Sequence, residues 1–176
     1  MRFAYADPPY IGQAHRYPEK QEVDHAALIA RLVAEYPDGW ALSCSSPSLR
    51  IILPLCPDDV RVMAWVKPFA VYKPNVNPAY AWEPVIVRGG RKRTREMPTV
   101  RDWVEANITL HTSVVGAKPH AFCRWLFEVL GAQLGDELCD LYPGSGAVTQ
   151  AWEHYQRQLR MRELAASAMP LPLETP

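Results

Sequence analysis

The chain has 176 residues, 48% of them hydrophobic and 22% charged, a length and balance that suit one domain with a substantial core and exclude a fibrous or disordered chain. Its 19 basic and 19 acidic residues cancel, so no overall field draws it to nucleic acid, and any such attraction has to be local. Cys44, Cys56, Cys123 and Cys139 lack paired metal-ligand spacing, and there is no signal-like leader or long apolar run, so a cytoplasmic protein without a metal is expected.

Short apolar runs alternate with helix-period segments, which predicts an α/β sandwich with a largely parallel sheet. Residues 3–6 read as the first strand. Asp7-Pro8-Pro9-Tyr10 follows at once, a rigid turn whose prolines have no N–H and a fixed φ. The Pro8 carbonyl and the Asp7 carboxylate are then two fixed acceptors side by side, a match for the two donors of an exocyclic amino group. Tyr10 is placed to stack on the flat ring that carries such a group.

Asp24 suits the cap of a helix in which Leu28, Ile29, Leu32, Val33 and Tyr36 share a face, ended by Pro37-Asp38-Gly39. Residues 40–43 read as a strand, Ser45-Ser46-Pro47 opens a short helix through Leu49, Ile52 and Leu53, and 60–66 reads as a third strand closed by Pro68. A proline- and asparagine-rich loop spans 67–80, and a fourth strand covers 84–87. The dense basic run from Arg88 to Arg95 is expected on a glycine-containing loop, where Arg88, Arg91, Lys92, Arg93 and Arg95 would contact phosphates near the Trp82-Glu83 end of the preceding strand. Lys118-Pro119 opens another helix, and 139–142 reads as a strand leading into Pro143-Gly144-Ser145-Gly146 and a further helix. Glycines at such a turn let a ligand approach the backbone at a helix N-terminus. His15, His25, His111 and His154 show no ligand spacing and are expected at the surface or as caps. One domain, 1–168, is expected, with a flexible proline-rich tail at 169–176.

Asp7-Pro8-Pro9-Tyr10, then Lys118-Pro119 before a helix, then Asp140 before Gly144-Ser145-Gly146 resemble, in that order, the amino-group DNA methyltransferases with permuted motifs. The likeness spans Tyr5 to Trp152 and is nearest to small phage or prophage adenine methylase-like proteins. It implies a three-layer Rossmann-like methyltransferase sandwich with a truncated, largely parallel sheet. It also implies S-adenosylmethionine as cofactor, DNA (or RNA) as partner, and a bacterial host's cytoplasm if the chain is phage-encoded. By this resemblance Asp7, Pro8, Pro9 and Tyr10 are catalytic. Ala6, Asp7, Lys118, Pro119, His120, Phe122, Asp140, Leu141, Tyr142, Pro143, Gly144, Ser145 and Gly146 would hold the cofactor, with Asp140 beside its methionine end. An initial Asp is more usual for adenine N6, whereas cytosine N4 enzymes usually begin that motif with Ser. N4-cytosine methylation is the second expectation, and an inactive nucleic-acid-binding or host-directed protein the third. Residues 169–176 are expected to leave no room for another strand after the last helix, so the family's ribose-binding acid is expected to be missing. Either a low cofactor affinity, or a second copy or partner chain that completes the pocket, is therefore expected, with Glu153 as a substitute acid.

Overall fold

The computed structural model describes residues 1–17, 20–69, 74–108 and 117–168. The tail expected at 169–176 and His111 lie outside them. Among the described residues, strands β1 (Arg2–Ala6), β2 (Gly39–Ser43), β3 (Arg61–Val66), β4 (Trp82–Gly89), β5 (Trp103–Glu105) and β6 (Glu137–Asp140) form a six-stranded sheet in the order β5-β3-β4-β2-β1-β6. All run the same way except β4, which is antiparallel to both β2 and β3. Helices α1 (His25–Glu35), α2 (Leu49–Ile52), α3 (His120–Leu130) and α4 (Ala147–Ser167) cover the two faces. None of them is long and apolar enough to cross a membrane.

Burial on both faces explains why β1 and β2 are largely apolar. In β1, Phe3 and Tyr5 join the cluster built on α3 and the start of α4, while Ala4 and Ala6 join the one built on α1 and α2. The α1 helix starts as its sequence predicts, with the Asp24 carboxylate accepting from the Ala27 N–H at 3.0 Å, and buries Leu28, Ile29 and Leu32. His25, expected at the surface or as a cap, is the first residue of α1 and is buried; burial lowers its pKa and favours the neutral ring.

Three elements differ from expectation, among them β6, which covers Glu137–Asp140 rather than 139–142. The fourth strand runs from Trp82 to Gly89 rather than over 84–87 alone. Pro84 is tolerated because it lies just past the last pair with β2, Ser43–Val85, so its missing N–H leaves that ladder intact. The short edge strand β5 had no period to betray it. It is held from outside by two indoles: Trp65 Nε1 donates to the Ala106 carbonyl at 2.8 Å and Trp125 Nε1 to that of Arg101 at 2.9 Å.

The basic run is also relocated. Arg88 lies within β4 and donates to Asp59 at 2.7 Å. Beyond Gly89 the chain docks on the C-terminal end of α3, which has no basic residue in its own last turn. There the Arg91 N–H donates to Leu130 O at 2.9 Å, Arg91 Nε to Gly131 O at 3.0 Å, and Arg93 to Glu128 O. Cations at these carbonyls complement the negative end of the helix. Arg91 also pairs at 2.8 Å with Asp136, whose side chain is 5% exposed and which accepts from the Gln133 N–H at 2.7 Å. Burial raises the Asp136 carboxyl, but the N-terminal ammonium, Arg91 and the Gln133 N–H outweigh it and hold it below the usual range. Arg91→Ala should therefore cost about 1–3 kcal/mol of stability at neutral pH, by leaving Asp136 and the helix end short of a donor. Denaturant unfolding measures this, and the deficit should shrink as acid protonates Asp136.

Candidate active site

The strands β1 and β6 lie side by side and parallel, but the chain leaves β1 for α1 on one face and leaves β6 for α4 on the other. Such a divergence opens a crevice outside the carboxyl ends of the two strands. Asp7 follows β1 directly, and Asp140 ends β6. Tyr5 is the register partner of Asp140, and the Leu141 N–H donates to Tyr5 O at 2.9 Å, so the two strand ends are clamped at a fixed offset. The Asp140 carboxylate accepts from the Tyr142 N–H at 3.3 Å and the Thr149 hydroxyl at 3.4 Å. Burial pushes this carboxyl up, and the charge of Asp7 adds to the effect.

The turn from β6 to α4 closes through the Gly146 N–H and Pro143 O at 2.6 Å. Gly144 and Gly146 take φ of 47° and 75°, the left-handed region that favours glycine. A Cβ on Gly144 would meet nothing nearer than Tyr142 O at 3.9 Å, and one on Gly146 nothing nearer than Gln150 Nε2 at 3.5 Å. The glycines are thus required by backbone conformation, and the outer side of the turn is open for a ligand.

An ionic cluster forms the other wall. The side chain of Lys118 is 5% exposed; its Nζ lies 2.8 Å from Asp7 Oδ2 and 3.7 Å from Glu83 Oε2. Glu83 uses its other oxygen for Lys67, and its Oε2 also accepts from the Tyr10 hydroxyl at 2.8 Å. Rings enclose the ammonium, with Nζ 5.3 Å from the centre of Trp65, 5.9 Å from Phe122 and 6.0 Å from Tyr10. Burial alone would lower the pKa of Lys118, but Asp7 and Glu83 outweigh it and raise it, so the ammonium stays charged. Burial raises Glu83 too, yet Lys118 and Lys67 together hold it below its usual value. Asp7 is different: burial raises its carboxyl, Lys118 pulls it back without cancelling the rise, and Glu83 adds to it. The Tyr10 hydroxyl is pushed well up by burial and by Asp7 and Glu83, and so remains a donor.

The structure brings Asp7, Pro8, Pro9, Tyr10 and Lys118 together at one end of the crevice, and Asp140, Leu141, Tyr142, Pro143, Gly144, Ser145 and Gly146 together at the other. Ala6 and Phe122 are fully buried, so they support the wall from behind. Pro119 caps α3, and His120 turns to His154 across the α3–α4 seam, with ring centres 5.4 Å apart. Glu153 sits on the exposed side of α4 and pairs with Arg157. Arg88, Arg91, Lys92, Arg93 and Arg95 are not brought to this site. The far end of β4 lies beside the start of β2, with Gly89 opposite Gly39, whereas Glu83 lies near the opposite end. The expected nearness of the basic run to the active end is therefore corrected: a strand carries its two ends apart. Trp65, Lys67 and the central place of Glu83 escaped the sequence reading. Their one trace was the Glu83 carboxylate beside the apolar run 84–87.

No family model and no curated protein matches the chain. Several solved structures resemble its fold, among them two of M1.HpyAVI. The crystal structure of the M1.HpyAVI–SAM complex superposes with a TM-score of 0.62 at 15% identity, covering 88% of this chain and 77% of that one. M1.HpyAVI itself gives a TM-score of 0.56 at 13% identity, covering 89% and 76%. The chain thus has a Rossmann-like methyltransferase fold.

Lys118→Met tests the ionic cluster. Removing one partner of a buried ion pair should cost about 3–5 kcal/mol near neutral pH. Without the ammonium both carboxyls rise, the folded state binds more protons than the unfolded one, and the variant loses stability as pH increases. The deficit against the parent, measured by denaturant unfolding, should grow between about pH 4 and about pH 8. A deficit independent of pH would mean that only packing was lost.

Proposed function

We propose that the protein transfers a methyl group from S-adenosylmethionine to the N6 amino group of adenine in DNA. The observation that carries this reading is the convergence of Asp7 and the donor-free Pro8-Pro9 turn with Asp140 and the open glycine turn at neighbouring strand ends. The crevice suits the cofactor. The backbone of Gly144 to Gly146 admits a bulky ligand, and the carboxylate of Asp140 suits the ammonium of its methionine end. The structural likeness to a protein crystallised with SAM supports the same choice. When bound, S-adenosylmethionine supplies an electrophilic methyl group that needs positioning rather than activation.

The chain's own groups prepare the nucleophile. An aromatic amino nitrogen is poor because its lone pair is delocalised into the ring. Accepting hydrogen bonds from its two N–H groups at the Asp7 carboxylate and the Pro8 carbonyl turns the nitrogen towards tetrahedral geometry and frees the lone pair; once the methyl group has arrived, the nitrogen releases one of these protons to solvent. The negative carboxylate then stabilises the positive charge that develops on nitrogen. Tyr10, fixed by Glu83, supplies a face for the base once it has left the helical stack. The initial Asp of the motif favours adenine; cytosine N4 is the other amino group that fits the same acceptors, and base-resolved mapping of the product separates the two. Of the basic run, Lys92 and Arg95 are exposed and make no ion pair among the described residues, so they are the members left for phosphate contacts.

Asp7→Ala should lower transfer of labelled methyl to DNA at least about 100-fold while cofactor affinity stays near that of the parent. Asp7→Asn should be severely impaired as well, because an amide brings donors and no charge. In the parent, activity should fall on the acid side with an inflection above the ordinary Asp value, since burial raises the Asp7 carboxyl and only its ionised form accepts both ways. Turnover by either variant at the parent rate would refute the assignment.

A further inference from the structure

Glu83 lies among three side chains of the catalytic end, Lys67, Tyr10 and Lys118. Its Oε1 holds Lys67 at the end of β3, and its Oε2 receives the Tyr10 hydroxyl at 2.8 Å and faces Lys118 at 3.7 Å. The carboxylate is held from below by a rigid frame: Glu83 is the register partner of Trp65 in the β3–β4 ladder, and Trp65 is buried and anchored through its indole to Ala106. Tyr10, by contrast, belongs to a turn, and Lys118 to the segment before α3. A strand residue thus supplies the fixed point for two residues that lack regular structure of their own.

We propose that Glu83 is a positioning residue for methyl transfer, holding the Tyr10 ring in its base-facing orientation and sharing Lys118 so that this ammonium does not commit wholly to Asp7. This rests on the function proposed above and extends it to a residue outside the motif. Without the Glu83 charge, Lys118 retains a single carboxylate partner. It would pair more closely with Asp7 and compete with the target amino group for that acceptor. Tyr10 would lose its charged acceptor, and the base its fixed platform. Misplacement of this size in a site that works by orientation costs rate rather than binding.

Three variants test it. Glu83→Gln should lower kcat about 10–100-fold, with KM for an adenine-containing duplex and affinity for S-adenosylmethionine changed less than about threefold. Glu83→Asp, which keeps the charge, should recover part of the rate. Tyr10→Phe combined with Glu83→Gln should be no slower than the worse single variant, because both break the same contact. A readout independent of turnover is the titration of the Asp7 carboxyl by carbon NMR, assigned against Asp7→Asn. Its midpoint should move to lower pH in Glu83→Gln, since a repelling charge is gone and Lys118 is freed towards it, and stay nearer the parent in Glu83→Asp. An unmoved midpoint, or an undiminished kcat in Glu83→Gln, would overturn the role. If the parent itself transfers no methyl group to DNA, the proposed function fails, and the titration alone then decides whether Glu83 positions Lys118 and Asp7.

Discussion

A buried ammonium organises this molecule. Lys118 has left water almost completely, at a cost of several kcal/mol that only close, well-formed pairing offsets. The two carboxylates that pair with it come from distant parts of the chain, Asp7 from the end of β1 and Glu83 from β4. Satisfying that one charge therefore ties the turn after β1, the antiparallel strand and the entry to α3 to a common point. The rings of Trp65, Phe122 and Tyr10 complete the enclosure, so the aromatic core and the ionic cluster are one construction.

The same constraint explains the far end. With Glu83 at the crevice end, β4 runs antiparallel between β2 and β3 and brings Gly89 beside Gly39 and the C-terminus of α3. The positive charges that follow find carbonyls waiting there, and Arg91 and Arg93 act as substitutes for the basic residues that α3 lacks in its last turn. The sheet thus carries an ionic cluster at each end, Arg91 with Asp136 at one and Lys118 with Asp7 and Glu83 at the other. With a formal net charge of zero, neither end depends on a global field.

Much of this was legible in the residues, and what was not has a physical cause. The Asp24 cap, the α1 face and the strand–glycine turn–helix at Asp140 to Ala147 are encoded within a few residues, so local pattern reads them. The two-proline turn after β1 is equally local. The partners of Lys118 are not: Glu83 is 35 residues away in sequence and Asp7 further still, and no spacing rule joins them. The edge strand β5 is too short to show a period, and it is recruited by the indoles of Trp65 and Trp125 rather than by its own pattern. The position of the basic run was not legible because charge density looks the same whether it faces a phosphate or a helix end; the antiparallel course of β4 carries Arg91 and Arg93 to the end of α3.

The central claim is that the crevice between β1 and β6 receives S-adenosylmethionine against the glycine turn. Calorimetry of the cofactor with the parent and with Gly146→Val measures this directly, provided that the variant's unfolding is cooperative. The account predicts saturable one-to-one binding to the parent and its loss in the variant, because a branched side chain there would force a left-handed backbone into strain and intrude on the open side of the turn. Absence of binding to the parent, or equal affinity in a folded Gly146→Val protein, would contradict it.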